Sequence, residues 1–419
     1  MTTATSTPMP TAAALDAAAI SRISDLYDEP DWLRELRAAW WERASSTPPP
    51  TGQEEEWRRT ELAALPRDGE LLSDPPRLQV TVSPAAAEAG VTVMDLRDAV
   101  RERPELVRRF LGRGEAQASH AHFWALAQAA WTGGLFCHVP SGVVLDETIV
   151  ARAELPAGAH TYLPVTLVVA EENSRVTLLE EIVSPDGDAT WYGGIAEIVA
   201  EPASVIRYAR LQQLGDAAWN IGAQRVVVGQ DAVVTTLDAE VGSRVTKVGL
   251  DAEMRGKGGT SALLGLLAAG DDQHIDINAH QDLAADHTTS DLLYLSALYD
   301  RARAAFYGVT KVEPRTKQTS SYQECRNLLL SPNAGAEPIP VLEIEANDIL
   351  RCGHGATAGA IDPVQLFYAQ TRGLDHDEAE RLIVRGFFEQ VVGQIHDETI
   401  RSRVLAALAR RIGSAEVDA

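Results

Sequence analysis

Along the first 130 residues, apolar side chains recur at helical spacing. In 13–44, Leu33, Leu36, Trp40 and Trp41 share a side of one helix. The tract Ser45–Gln53 (SSTPPPTGQ) ends it, because proline removes a donor and bars its predecessor from the α conformation. Two further helical patterns span 94–112, carrying Leu96, Val100, Leu106 and Phe110, and 119–131. LQVTV between them is compatible with a strand. Residues 1–12, rich in Thr, Pro and Ala, are expected to be disordered.

From Gly134 the pattern changes. Short β-branched runs such as GLFCHV, VTLVVA, AQRVVVG and AAFYGVTKV follow one another, separated by Gly, Asp, Asn, Pro or Ser. They recur about once per 10 residues over roughly 220 residues without a helical interruption. A large β-sandwich or barrel fits, and so does a parallel β-helix whose coils each donate short strands to long sheets. The uninterrupted length favours the β-helix, whose ends would need caps that helical flanks could supply. Helical periodicity returns at Asp362, with Ala379, Leu382, Ile383, Phe387 and Val391 on one face and Ile400, Val404, Leu408 and Ile412 on another. The expected fold is mainly β: a mostly helical unit over 1–133, a β-helix over 134–361 and a helical unit over 362–419.

Composition narrows the function. The 419 residues carry a formal net charge of −23, which repels phosphate backbones and anionic lipid, so nucleic acid and bare membrane are poor partners. Solubility alone also accounts for that charge. Cys137, Cys325 and Cys352 are too few and too scattered for a disulfide framework, and a reducing compartment fits them best. No signal peptide or membrane span is read from the sequence, so a cytoplasmic protein is expected.

One junction carries chemistry. In Cys352-Gly353-His354 two soft ligands stand one residue apart. In an extended segment residues i and i+2 share a face, so thiol and imidazole would point together, while Gly353 and Gly355 would let another backbone approach. A metal or cluster wants more ligands than two, so the rest would come from elsewhere, such as a second chain. The plainer reading is a buried cysteine and a hydrogen-bonded histidine in the last β-coil. The stretch DDQHIDINAHQDLAADHTTSDLL places His274, His280 and His287 among aspartates. Alternation of Ile275 and Ile277 with Asp276 and Asn278 reads more simply as a strand with one wet face. Cys325 and Cys137 read as core residues. There is no phosphate-binding GxxxxGK[ST] loop, GxSxG elbow or HExxH pair, so no catalytic engine emerges and any ATP hydrolysis would be borrowed.

Several segments, taken in order, resemble the SufB/SufD family of iron–sulfur cluster assembly proteins. They are EEEWRRTEL, GGLFCHVPSGVVLDETI, HTTSDLLY, ALYDRARAAFYG, YQECRNLLLS, LEIEANDILRCGHGATAGAID, LFYAQTRGL and RLIVRGFF. CGHGATAG resembles the SufD branch more than the SufB branch. The resemblance implies a right-handed parallel β-helix flanked by N-terminal and C-terminal α-helical domains, and a non-catalytic scaffold subunit of a SufBCD complex. Such a subunit pairs with SufB through the β-helix end and binds the SufC ATPase through its C-terminal helices. It implies that His354, with Cys352 beside it, faces SufB where clusters form, His354 as a transient cluster ligand. It also implies a SufC-binding region around Phe367, Tyr368, Arg372, Gly373, Phe387 and Phe388. No cofactor is expected to bind stably; the cluster would pass through the complex, and the isolated subunit could pair with itself. Alternatives are a SufB-like homodimeric scaffold, a purely structural SufC adaptor, or a polysaccharide-processing β-helix, which the lack of a signal and of an obvious carboxylate pair argues against.

Overall fold

The computed structural model describes residues 9–75, 77–114 and 118–411. The expected disorder of residues 1–12 falls mostly outside that range; from Met9 onward the chain is placed, and Thr11 forms an antiparallel bridge with Glu70.

Helical spacing in the first third holds in kind but is divided by local chemistry. The expected helix over 13–44 is two, α1 (Ala17–Leu26) and α2 (Asp31–Ser46). Asp16 caps α1, and the chain turns at Asp28, with φ of 48°, before Pro30 precedes α2. After α3 (Pro84–Glu88), the expected helix over 94–112 begins as a strand, Thr92–Asp95, and continues as α4 (Leu96–Glu102) and α5 (Pro104–Phe110). Pro104 divides the last two, because it cannot donate within a continuous helix. Helix α6 (Ala121–Ala130) follows the expected pattern, and Gln79–Thr81 is the strand in LQVTV.

The β region is a parallel solenoid of eight rungs. One long sheet runs from Gly134–Val139 to Gly335–Ile344, the other from Val144–Glu154 to Asp348–Ala360, and each strand pairs in parallel with its counterpart one coil earlier and later. Alternation sends every second residue inward. The lumen is packed by Val226, Val248, Ile277 and Phe306 from the first sheet against Ile206, Val234, Leu263 and Leu292 from the second. The outward residues are covered as well, which is why strands buried on both faces read as near-continuous apolar runs. On the first sheet Leu167, Ile195, Trp219 and Ile221 meet Trp57, Phe123, Trp124 and Trp131 of the N-terminal region.

The C-terminal helices are α7 (Pro363–Thr371), α8 (His376–Val392) and α9 (Glu398–Arg411). An Asp375/Glu378 capping box starts α8. Val384, Phe388, Val391, Val404 and Leu408 pack on Leu211, Leu237, Leu264 and Leu295 of the second sheet's outer face. Ile412, expected on the α9 stripe, lies outside the described residues.

The two ends of the solenoid differ. Strands Gln79–Thr81 and Thr92–Asp95 pair antiparallel with the first rung of each sheet and close that end. The expectation that helical flanks cap both ends is not met at the other. Helices α8 and α9 fold back along the sheet face, and the last strands, Gly335–Ile344 and Asp348–Ala360, are edges.

Candidate functional site at the open end of the solenoid

The Cys352–His354 junction belongs to the last strand, Asp348–Ala360, which lies in register on Lys317–Leu329. In the lower strand Ser321, Gln323, Cys325 and Asn327 are buried, and Cys325 belongs to the lumen core, so these residues face inward. Their partners one rung up are Cys352, His354, Ala356 and Ala358. Thiol and imidazole therefore share a face, as the spacing predicts, and that face is the lumen. Among the described residues no further coil covers it, so Cys352 is half-buried and His354 exposed. Burial pushes the Cys352 thiol above its ordinary value, which keeps it protonated and weakens it as a ligand.

The outward side of the same strand is held by an aromatic residue. The Arg351 guanidinium lies 4.6 Å from the centre of the Tyr322 ring and 3.5 Å from Asp291. A Cβ on Gly353 would sit 3.4 Å from that ring, and one on Gly355 would sit 3.1 Å from the Tyr322 hydroxyl. What the flanking glycines accommodate within this chain is thus Tyr322. Inside, Asn327 Nδ2 donates to the Thr357 carbonyl at 2.9 Å while its Oδ1 accepts from Ser296 at 2.6 Å, tying the edge strand to the rungs below. Ile344 and Leu350 are large apolar side chains left exposed on these two edge strands. The sequence reading missed both.

Cys325 and Cys137 are core residues, as expected, and burial pushes each thiol up to about 12. Cys325 lies under Ala356 in an inward column that runs down through Tyr294, Gly265, Asp238 and Arg210 to Glu180. Arg210 sits 2.9 Å from Glu240 and 3.3 Å from Asp238, all out of water, and Tyr294 donates to Asp238 at 3.1 Å. Burial raises the pKa of Glu180, Asp238 and Glu240 against the pull of Arg210. Sequence alternation could have placed these groups inward, but nothing in it pairs residues about 28 apart in the chain.

The aspartate-rich histidine segment binds no one point together. Ile275 and Ile277 face the lumen as expected, but the opposite face is not wet: Asp276 is 1% exposed. The N-terminal segment covers it, and Lys247, one rung below, neutralises it at 2.8 Å. His274 sits 3.3 Å from the Thr60 hydroxyl, and His287 lies in the following turn with φ of 60°. Among the described residues no group of three or more His, Cys, Asp or Glu side chains is arranged to hold a metal ion.

On the C-terminal helices, Phe367 and Tyr368 stand exposed, joined by Val364 on α7, which the sequence reading did not single out, and by Leu382 on α8, which it had placed on the apolar face with Ala379. Spacing of i, i+3, i+4 along α7 was the available signal. Arg372 stacks on Tyr368 and donates to its hydroxyl at 2.8 Å, and Gly373, at φ of 100°, ends the helix. Phe387 is half-buried. Phe388 is 1% exposed in the core between α8 and the sheet, so it cannot serve as a contact residue.

A family model described as the SUF system iron–sulfur cluster assembly SufBD core domain matches residues 153–387. The chain belongs to the SufB/SufD family. A second model, the SufBD N-terminal region, matches 78–150. An iron–sulfur cluster assembly SufBD family protein of Mycobacterium leprae is 30% identical over 238 residues, which is 55% of this chain and 60% of that protein. One of Staphylococcus saprophyticus is 26% identical over 303 residues, 72% of this chain and 65% of the relative. The chain thus spans somewhat under two thirds of the length of these curated relatives. The core-domain match runs from the end of the first rung through the solenoid, α7 and most of α8, and the N-terminal-region match covers the strands that close the first rung. Among the described residues no helix is long and apolar enough to cross a membrane.

Proposed function

We propose that this SufB/SufD-family chain is a SufD-type, non-catalytic scaffold subunit for iron–sulfur cluster assembly, working in the cytoplasm with a SufB partner and a SufC ATPase. The observation that carries this reading is the uncapped last rung. It presents Cys352 and His354 from the lumen face, beside two unpaired strand edges and the exposed Ile344 and Leu350. Unpaired edges flanked by exposed apolar side chains suit a protein partner.

SufB pairs with that end and supplies the remaining ligands, so that a cluster being assembled meets His354 at the joint. Neutral imidazole suits a transient ligand, since it holds iron more weakly than thiolate and lets the product leave. Cys352, held protonated, has the weaker claim. SufC binds the exposed face of Val364, Phe367, Tyr368 and Leu382, and its ATP-driven closure, passed through α8 to the second sheet, shears the joint and opens it to iron and sulfur.

Co-expression with SufB and SufC partners tests the two surfaces separately. A charge in the mouth, Ala356→Glu, is expected to abolish SufB co-purification and leave SufC binding intact. Retention of SufB by that variant would contradict the proposed joint.

A further inference from the structure

Beneath His354 the structure leaves a hydrogen-bond acceptor without a partner. Gln323 is fully buried, in register with His354 on the same inward column, and its Oε1 accepts no hydrogen bond among the described residues. The other half of the amide is placed. Its Nε2 points to Gln281 Oε1 at 3.4 Å and Thr310 Oγ1 at 3.5 Å. Gln281 is itself fixed by donating to the Ser290 carbonyl and hydroxyl, each at 2.8 Å, and by accepting from Thr310 at 2.9 Å. The amide reaches across the lumen onto Gly308, where a Cβ would lie 2.6 Å from Nε2. Acceptors thus claim the nitrogen's side of the amide, and the oxygen is left over.

One rung up, the choice of donor is narrow. Opposite Gly308 stands Pro340, which has no N–H, and above Gln323 stands His354. Rungs lie about 4.8 Å apart, within reach of an amide–imidazole ladder. While the mouth is open, water serves the imidazole. The Gln323 carbonyl is already buried and unpaired, which is costly, and once a partner takes water away from His354 as well, the imidazole N–H is the available remedy for both.

We infer that Gln323 is a positioning residue for His354. When the mouth is covered, Gln323 Oε1 accepts one ring N–H of His354, which fixes the tautomer and turns the other ring nitrogen, lone pair outward, toward the joint. A carbonyl on the far nitrogen is the way proteins orient histidine ligands. The inference rests on the proposed role of His354 at the SufB joint.

Ring 15N spectra test it without reference to activity. The chain, labelled only on histidine, is assembled with unlabelled SufB and SufC partners, and His354→Ala identifies the resonances of His354. One tautomer is expected in the wild type, both in Gln323→Leu, and one again in Gln323→Glu, which keeps an acceptor at that point; the other histidine signals report that the fold is intact. Cluster yield in Gln323→Leu should fall several-fold. Unchanged His354 ring resonances in Gln323→Leu would overturn the inference. Normal cluster yield from His354→Ala would instead overturn the functional reading, while the ring spectra still decide the role of Gln323.

Discussion

Lys247 and Asp276 face each other across neighbouring rungs of the solenoid, 2.8 Å apart and both out of water. The segment EEEWRRTEL roofs the pair. The Lys247 ammonium lies 5.0 Å from the Trp57 ring centre and also donates to the Glu56 carbonyl, and the Thr60 hydroxyl donates to Asp276 at 2.7 Å. Arg59 reaches on to Glu337 of the last first-sheet strand at 3.0 Å. The motif is thus a clamp that fastens the N-terminal region along the sheet.

Removing one partner strands a buried charge. Asp276→Ala is expected to cost about 3–5 kcal/mol, while Lys247→Met with Asp276→Leu together should cost far less. Denaturant unfolding of wild type, Asp276→Ala, Lys247→Met, Asp276→Leu and the double variant checks this. A double variant as unstable as the sum of its parts would show that the pair is not coupled.

His120 lies against the same clamp, 5.1 Å from the Trp57 ring, and burial first, then the charge of Lys247, pulls its pKa down to about 3. Its folded pKa is below the unfolded value, so below about pH 6.5 the unfolded chain takes up a proton that the folded chain refuses. The fold should therefore lose stability as pH falls, by about 2 kcal/mol between pH 6.5 and 5 from this residue at ~1.4 kcal/mol per unit. In His120→Phe, the slope of stability against pH over that range should be shallower by that amount. An unchanged slope would place the acid sensitivity elsewhere.

Gly265 makes room for Tyr294. A Cβ there would lie 2.0 Å from the Tyr294 ring. Gly265→Ala should destabilise by about 1–3 kcal/mol through overpacking, and by less in a Tyr294→Leu background, since the two changes share one space. Additive losses in a thermal or chemical melt would contradict the packing described.

On the C-terminal helices, burial separates contact residues from core. Phe367→Asp, on a side chain 67% exposed, should abolish SufC co-purification while leaving the melting temperature within a degree or two of wild type, as expected of a surface change. Phe388→Ala should instead cost about 3–5 kcal/mol. Loss of SufC binding only when the fold is lost would remove the proposed patch.

Much of this was legible in the sequence. Repeated β-branched runs without a helix gave the solenoid, and i, i+2 spacing put Cys352 and His354 on one face. Which face was not legible, because that depends on register with Ser321 and Gln323, some thirty residues earlier. The apparent wet face at Asp276 misled for the same reason: only the fold brings Lys247 and Thr60 against it. Helix boundaries went astray where one residue decides, at Asp28 and at Pro104. That the C-terminal helices leave the end open was not legible in their pattern, since helical sequence after residue 362 does not say whether the helices lie over the last rung or fold back along the sheet.

Anaerobic iron and sulfide reconstitution of the complex with SufB and SufC partners, comparing wild type with His354→Ala, tests the central claim most directly. The account predicts that the variant complex assembles and retains its stability but forms markedly less cluster. Full cluster formation by an intact His354→Ala complex would contradict it and leave this chain a structural adaptor.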